Sequence, residues 1–230
     1  MGQPVVVLPA LVCTQALFDP LFKALPDHEI ICGDTFENDS VEAMAAATLA
    51  RAPASFALMG VSMGGYVAME MIRQAPERIN ALILISTNAK SDSLEMQRTR
   101  AQQCEIAAKG GYGKIIRAQF PSMFAQAQQG RDDLRQCHRA MAEAVGVQGF
   151  VNQQKAIAAR PASLETLSGF AAPCCLIHGG EDIVTPYEMM DEMHAVLPGS
   201  QLQQISGAGH LCLLEKPREV AFKISGILSS

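Results

Sequence analysis

A chain of 230 residues in which 49% are hydrophobic is long enough to bury a full core in one or two domains. Charged residues make up only 18% and the net charge is −5, so no basic face recommends nucleic acid or an anionic membrane surface. The longest apolar runs are strand-sized and fall short of the ~18 to 20 residues that cross a bilayer.

The first residues, Met1 to Val5, enter an apolar run without the basic start and cleavage site of a secretory signal, which leads us to expect a cytoplasmic chain that begins here. Seven cysteines, at 13, 32, 104, 137, 174, 175 and 212, are an odd number without paired metal spacing. They read as reduced, mostly buried small hydrophobes, with no metal site and no disulfide framework.

Short runs rich in Val, Ile and Leu predict six strands: Val5–Leu8, Glu29–Cys32, Ser55–Met59, Ala81–Ser86, Cys174–His178 and Gln201–Ile205. Their continuous rather than alternating hydrophobicity suits a mostly parallel sheet covered on both faces, a doubly wound α/β core. Helix signals fill the gaps, as at Ser40 to Arg51, where Ser40 is placed to cap and Pro53 closes the helix. Between about Asn88 and Ala172 no strand-like run occurs, and Gly110 to Gly113 and Gln129-Gly130 read as breaks between helices. The expected organisation is a core of residues 1–87 and 173–230 with an inserted helical cap, 88–172, over the carboxyl edge of the sheet.

Gly60-Val61-Ser62-Met63-Gly64 lies where a predicted strand turns into a helical stretch. A sharp turn there needs small residues two positions before and after the serine, and it projects the hydroxyl above the sheet. The amide of Met63, at the start of that helix, is placed to donate to an oxyanion. A serine is a weak nucleophile unless an imidazole takes its proton and a carboxylate holds that imidazole. Glu181 and Asp182 both follow the strand Cys174–His178 in a loop and are candidates for the acid. His210, flanked by Gly207 and Gly209 after the last strand, is the candidate base on a loop expected to be mobile. His28, His138 and His194 read as structural or surface residues, and His178 as support for the acid turn.

The order Ser62, Asp182, His210 and the segments Gly60–Gly65, Gly179–Pro186, Gly207–His210 and Leu214–Pro217 resemble the α/β-hydrolase superfamily, particularly its small bacterial esterases with helical caps. The resemblance implies that Asp182, ahead of the apolar-Thr-Pro stretch, is the functional acid. It also implies that the amide of Leu11 joins that of Met63 in an oxyanion hole, although Pro9-Ala10-Leu11 replaces the usual His-Gly-x. Only four residues precede Val5, so the family's N-terminal hairpin is expected to be missing and the sheet trimmed to about six strands. The implied activity is a serine hydrolase acting on a small or medium carboxylic ester, with a lactone, thioester or carbon–carbon substrate, or a ligand-binding protein with little turnover, as alternatives. No cofactor is called for, and the expected partner is a small acyl molecule. For that substrate the residues singled out are Val61, Phe120 and Phe124, in a pocket roofed also by Met96, Met123, Met141 and Phe150. Arginines at 98, 100, 117, 131, 135, 139 and 160 offer contacts for an acidic group or a carrier protein.

Overall fold

The computed structural model describes residues 2–228. Its sheet consists of β1 (Val5–Leu8), β2 (Ile30–Cys32), β3 (Phe56–Val61), β4 (Ile79–Ile85), β5 (Cys174–Gly179) and β6 (Gln201–Ile205), all parallel, in the order β2-β1-β3-β4-β5-β6. Every residue of β1, β3 and β5 is buried, as the continuous apolar runs require of central parallel strands. The edge strands are less covered: β2 is half-buried throughout, and in β6 only Ile205 is buried. The six expected strands are all present. β3 continues past Met59 through Gly60 and Val61, and β4 begins two residues early, at Ile79, with only Asn80 of that strand exposed.

Alternate strand residues feed two apolar layers. On one face Val5, Val7, Met59 and Ile83 pack with Leu21 of α1 (Asp19–Phe22) and with Val220 and Ile224 of the final helix. On the other, Val6, Leu58 and Leu84 meet α2 (Val41–Arg51) through Met44 and α3 (Met63–Gln74) through Val67 and Met71. Ser40 caps α2 by accepting from the amide of Ala43 at 3.1 Å. The seven cysteines are all unpaired, with Cys13, Cys174, Cys175 and Cys212 buried.

Between β4 and β5 the chain is helical: α4 (Leu94–Ile106), an irregular turn at Ala107–Gly111, α5 (Tyr112–Met123), α6 (Asp132–Ala159) and α7 (Leu164–Ser168). Helix α6 is interrupted at Gly146, whose φ of 69° and ψ of 179° break the helical path at a position that carries no turn cluster in the sequence. The chain then continues through α8 (Tyr187–Val196), α9 (Cys212–Glu215) and α10 (Pro217–Leu228). None of the described helices is long and apolar enough to cross a membrane. After β1 the chain moves outward to β2 and then returns to place β3 on the other side of β1. The loops leaving β1 and β3 therefore diverge at this switch point, and a crevice opens at their carboxyl ends.

Candidate active site

Ser62 occupies the single residue between β3 and α3 and adopts a left-handed conformation, φ 51° and ψ −114°. For a non-glycine residue this costs of order 1–3 kcal/mol and persists only where the surroundings impose it. Here its amide donates to the Ile85 carbonyl at 2.8 Å, and its carbonyl accepts from Thr87 Oγ1 at 2.7 Å and from the Gly65 amide at 2.9 Å. The flanking glycines are required by close approach. A Cβ on Gly60 would sit 2.6 Å from the Gly64 carbonyl oxygen, and one on Gly64 would collide with the Leu8 carbonyl.

His210 Nε2 lies 2.8 Å from Ser62 Oγ, and His210 Nδ1 lies 2.8 Å from Asp182 Oδ2. The other carboxylate oxygen, Oδ1, accepts from the amides of Val184 at 2.8 Å and Thr185 at 3.0 Å. Burial pushes the Asp182 carboxyl up, but His210 beside it and the two amides outweigh that cost and hold it below its ordinary value of 3.8. An ionised carboxylate only accepts, so the Nδ1 proton of His210 points at Asp182 and Nε2 is left to accept from the Ser62 hydroxyl. Such an arrangement can take a proton from Ser62 and stabilise the imidazolium that results.

Glu181, the rival carboxylate, is exposed and accepts from the Gln126 amide at 3.3 Å, while its own amide donates to Ala208. His178 Nε2 donates to the Thr185 carbonyl, 2.9 Å away, and its ring packs edge-on against Tyr187, which supports the acid turn. His28 meets the Gln3 carbonyl, and His194 meets Ser200 Oγ.

The histidine loop is tied down, contrary to the mobility expected from its glycines. Glu215, on α9, accepts from the Gly209 amide at 3.0 Å and from the Ala125 amide at 3.1 Å, which joins this loop to the segment after α5. The Leu211 amide donates to the Met123 carbonyl, also at 3.0 Å. Gly209 passes so near this segment that a Cβ would lie 2.6 Å from the Ala125 nitrogen. Burial pushes the Glu215 carboxyl above its ordinary value, against the two amides that favour its charge.

Ser62 and His210 open into a cavity of about 190 Å³. From the sheet side it is lined by Leu11, Met63 and Tyr66, and from the helical side by Met96 and Arg100 of α4, Gln119 and Met123 of α5, and Ile157 of α6. Leu11 and Met63 thus share the cavity wall with Ser62. The substrate side chains do not. Val61 is fully buried in the sheet, where a central strand residue must be, and does not line this cavity. Phe120 and Phe124 pack on each other, ring centres 4.9 Å apart, with His138 edge-on to both. Phe120 borders a separate cavity between α5 and α6, and Phe124 a shallow one beside Glu181. Met141 and Phe150 are core residues. Aromatic residues at helical spacing here serve the packing of the insertion, as apolar stripes usually do.

Tyr66, Asn88, Gln119, Ile157, Val184 and Met189, none of them a site candidate from the sequence, also line the cavity. Asn88 and Val184 follow predicted strands closely enough for loop position to have found them, whereas Gln119 and Ile157 carry no local signal. Among the described residues no cluster of three or more His, Cys, Asp or Glu is arranged to hold a metal.

The family model described as alpha/beta hydrolase fold matches residues 23–217. A thermophilic esterase from Thermogutta terrifontis superposes with a TM-score of 0.92 at 26% identity, covering all of this chain and 92% of that one. An enol-lactonase from Burkholderia xenovorans shares the fold, with a TM-score of 0.86 at 20% identity over 100% of this chain and 93% of that chain. Among curated proteins, a pimeloyl-(acyl-carrier protein) methyl ester esterase from Aromatoleum aromaticum is 26% identical over 218 residues, 89% of this chain and 85% of its own length. With esterases among its relatives and the family pattern spanning most of its length, this chain belongs to the α/β-hydrolase family.

Proposed function

We propose that this protein is a serine esterase that cleaves a small carboxylic ester through an acyl-enzyme on Ser62. The observation that carries the reading is the continuous pair of 2.8 Å contacts, Ser62 Oγ to His210 Nε2 and His210 Nδ1 to Asp182 Oδ2. As Ser62 Oγ bonds to the substrate carbonyl carbon, its proton passes to His210 Nε2, and Asp182 stabilises the imidazolium. The carbonyl oxygen becomes an oxyanion facing the amides of Met63 and Leu11. Donors of this kind contribute about 3 to 4 kcal/mol each. Collapse breaks the bond to the alcohol, which leaves with the proton held by His210. Water then attacks the acyl carbon, gives its proton to Nε2, and the acid departs as Ser62 regains its hydrogen.

In this reading residues 1–87 and 173–230 form the catalytic core, and residues 88–172 act as a cap whose helices α4, α5 and α6 supply one wall of the cavity. A volume of about 190 Å³ is smaller than the ~300–1,000 Å³ of drug-sized sites and favours a compact substrate. The esterases among the relatives support an ester over a lactone, thioester or carbon–carbon bond. The seven unpaired cysteines support a reducing, cytoplasmic setting.

A panel of short p-nitrophenyl esters, aliphatic lactones and acyl thioesters, assayed on the wild type and on Ser62→Ala, tests this directly. We expect ester turnover that Ser62→Ala abolishes. Preference for a lactone or thioester would overturn the ester assignment, and absence of any turnover in folded protein would favour a ligand-binding role.

A further inference from the structure

We propose that the ester taken by this cleft carries a carboxylate a few bonds from the scissile carbonyl, held by Arg100; this rests on hydrolysis at Ser62 as proposed above. Arg100 lines the same cavity as Ser62 and His210, and neither an acid nor a second Lys or Arg is among the lining residues. Its guanidinium is held from behind. Nε donates to Asp92 Oδ2 at 2.5 Å and Nη1 to Gln154 Oε1 at 2.8 Å, and Gln154 is itself fixed by Gln103 at 2.6 Å. The remaining amino group, Nη2, has no protein partner among the described residues, and the side chain keeps 20% of its surface exposed.

The Asp92 side chain has no exposed surface and also accepts from Arg160 Nη1 at 2.5 Å. Arg160 is itself buried, donates to the Ile157 carbonyl at 2.8 Å and lies 4.0 Å above the Tyr66 ring. Two guanidiniums therefore share one carboxylate. A pair formed by Asp92 and Arg160 alone would fasten the insertion to the core with its charge balanced, since Arg160 already reaches Tyr66 of α3. The second guanidinium leaves a surplus positive charge beside the cleft, in surroundings where an unbalanced charge is costly. An anionic substrate group would balance it, at a donor whose orientation is already set.

The test compares ethyl hydrogen succinate with ethyl 4-oxopentanoate, a neutral ester of the same length, on the wild type, Arg100→Gln and Arg100→Lys. We expect kcat/KM in the wild type to favour the anionic ester, and Arg100→Gln to reduce the ratio of the two by about 10- to 100-fold, chiefly through KM. Arg100→Lys should restore part of that ratio. Reading a ratio cancels any general loss from disturbing the Asp92 cluster. A wild-type ratio near one, or a ratio unchanged in Arg100→Gln, overturns the proposal while ester hydrolysis stands. Calorimetric binding of ethyl hydrogen succinate to Ser62→Ala separates the two readings. Binding that Arg100→Gln removes, in a protein that cleaves no ester, would place the failure in the hydrolysis reading. Inhibition by free succinate stronger than by inorganic phosphate is expected, and the reverse would overturn the choice of carboxylate.

Discussion

On the sheet side of the cleft, main-chain groups fix both residues: the Ser62 amide donates to the Ile85 carbonyl, and Asp182 accepts from the amides of Val184 and Thr185. On the helical side, Arg100 is fixed by other side chains, Asp92 and Gln154, which come from a loop and from a helix 54 residues away. Helix α4 has no buried residue at all, and its Leu94 is 71% exposed, whereas β1 and β3 are buried throughout. The sheet side follows from the fold itself, and the helical side is adjustable because its contacts can be exchanged without moving a strand.

The largest expected effects lie on the sheet side. Ser62→Ala and His210→Ala should each lower kcat by about ten thousand- to a millionfold with unchanged circular dichroism. Asp182→Asn should lower it by about a thousand- to ten-thousandfold, because an amide no longer enforces the tautomer, while Glu181→Gln stays within about twofold. Equal losses at 181 and 182 would contradict the geometry.

This contrast also explains what was legible in the sequence. All six strands and the sites of Ser62, Asp182 and His210 were readable, because continuous apolar runs, the Gly60 and Gly64 spacing and the turn before Pro186 are local patterns with local causes. The choice between Glu181 and Asp182 rests on the resemblance, and in the structure Asp182 is the carboxylate that lies against His210. In the helical insertion, Phe120 and Phe124 carry the same 3.6-residue signal whether they face a core or a ligand, and only tertiary packing turned them inward. Arg100 was one of seven arginines there without a feature to single it out. Its role depends on Asp92 and Arg160, a pairing that spans 68 positions.

Glu215 joins the two sides, and disturbing it should fall between the effects above and simple loss of cap contacts. Glu215→Gln keeps the size but weakens acceptance from Gly209 and Ala125, so kcat should fall roughly 10- to 100-fold from displacement of His210. Hydrogen exchange at Gly209 checks the cause, and unaltered protection there with reduced kcat would contradict it. Met96→Ala, in the helical wall, should raise KM by about 3- to 10-fold and leave kcat near the wild-type value in steady-state assays.

Acid should separate the sides by small stability changes. Burial among Phe120 and Phe124 lowers His138 from 6.5 to about 4, with Arg117, Arg135, Arg139 and Glu143 lining the same cavity. Between those values the unfolded chain binds a proton that the folded one refuses, so stability falls as pH drops from 6.5 to about 4. Urea unfolding of His138→Phe should show a shallower loss across that window. Asp182, held below 3.8, gives stability that is complete above that value and is lost as pH falls through its folded one, so its effect begins only at lower pH.

The central claim, that the sheet side presents one activated serine, is tested most directly by reaction with a fluorophosphonate followed by intact-mass measurement and peptide mapping. One adduct per chain on Ser62, lost in Ser62→Ala and slowed at least about a hundredfold in His210→Ala, is the predicted result. An adduct on another residue, or labelling that persists in Ser62→Ala, would contradict it.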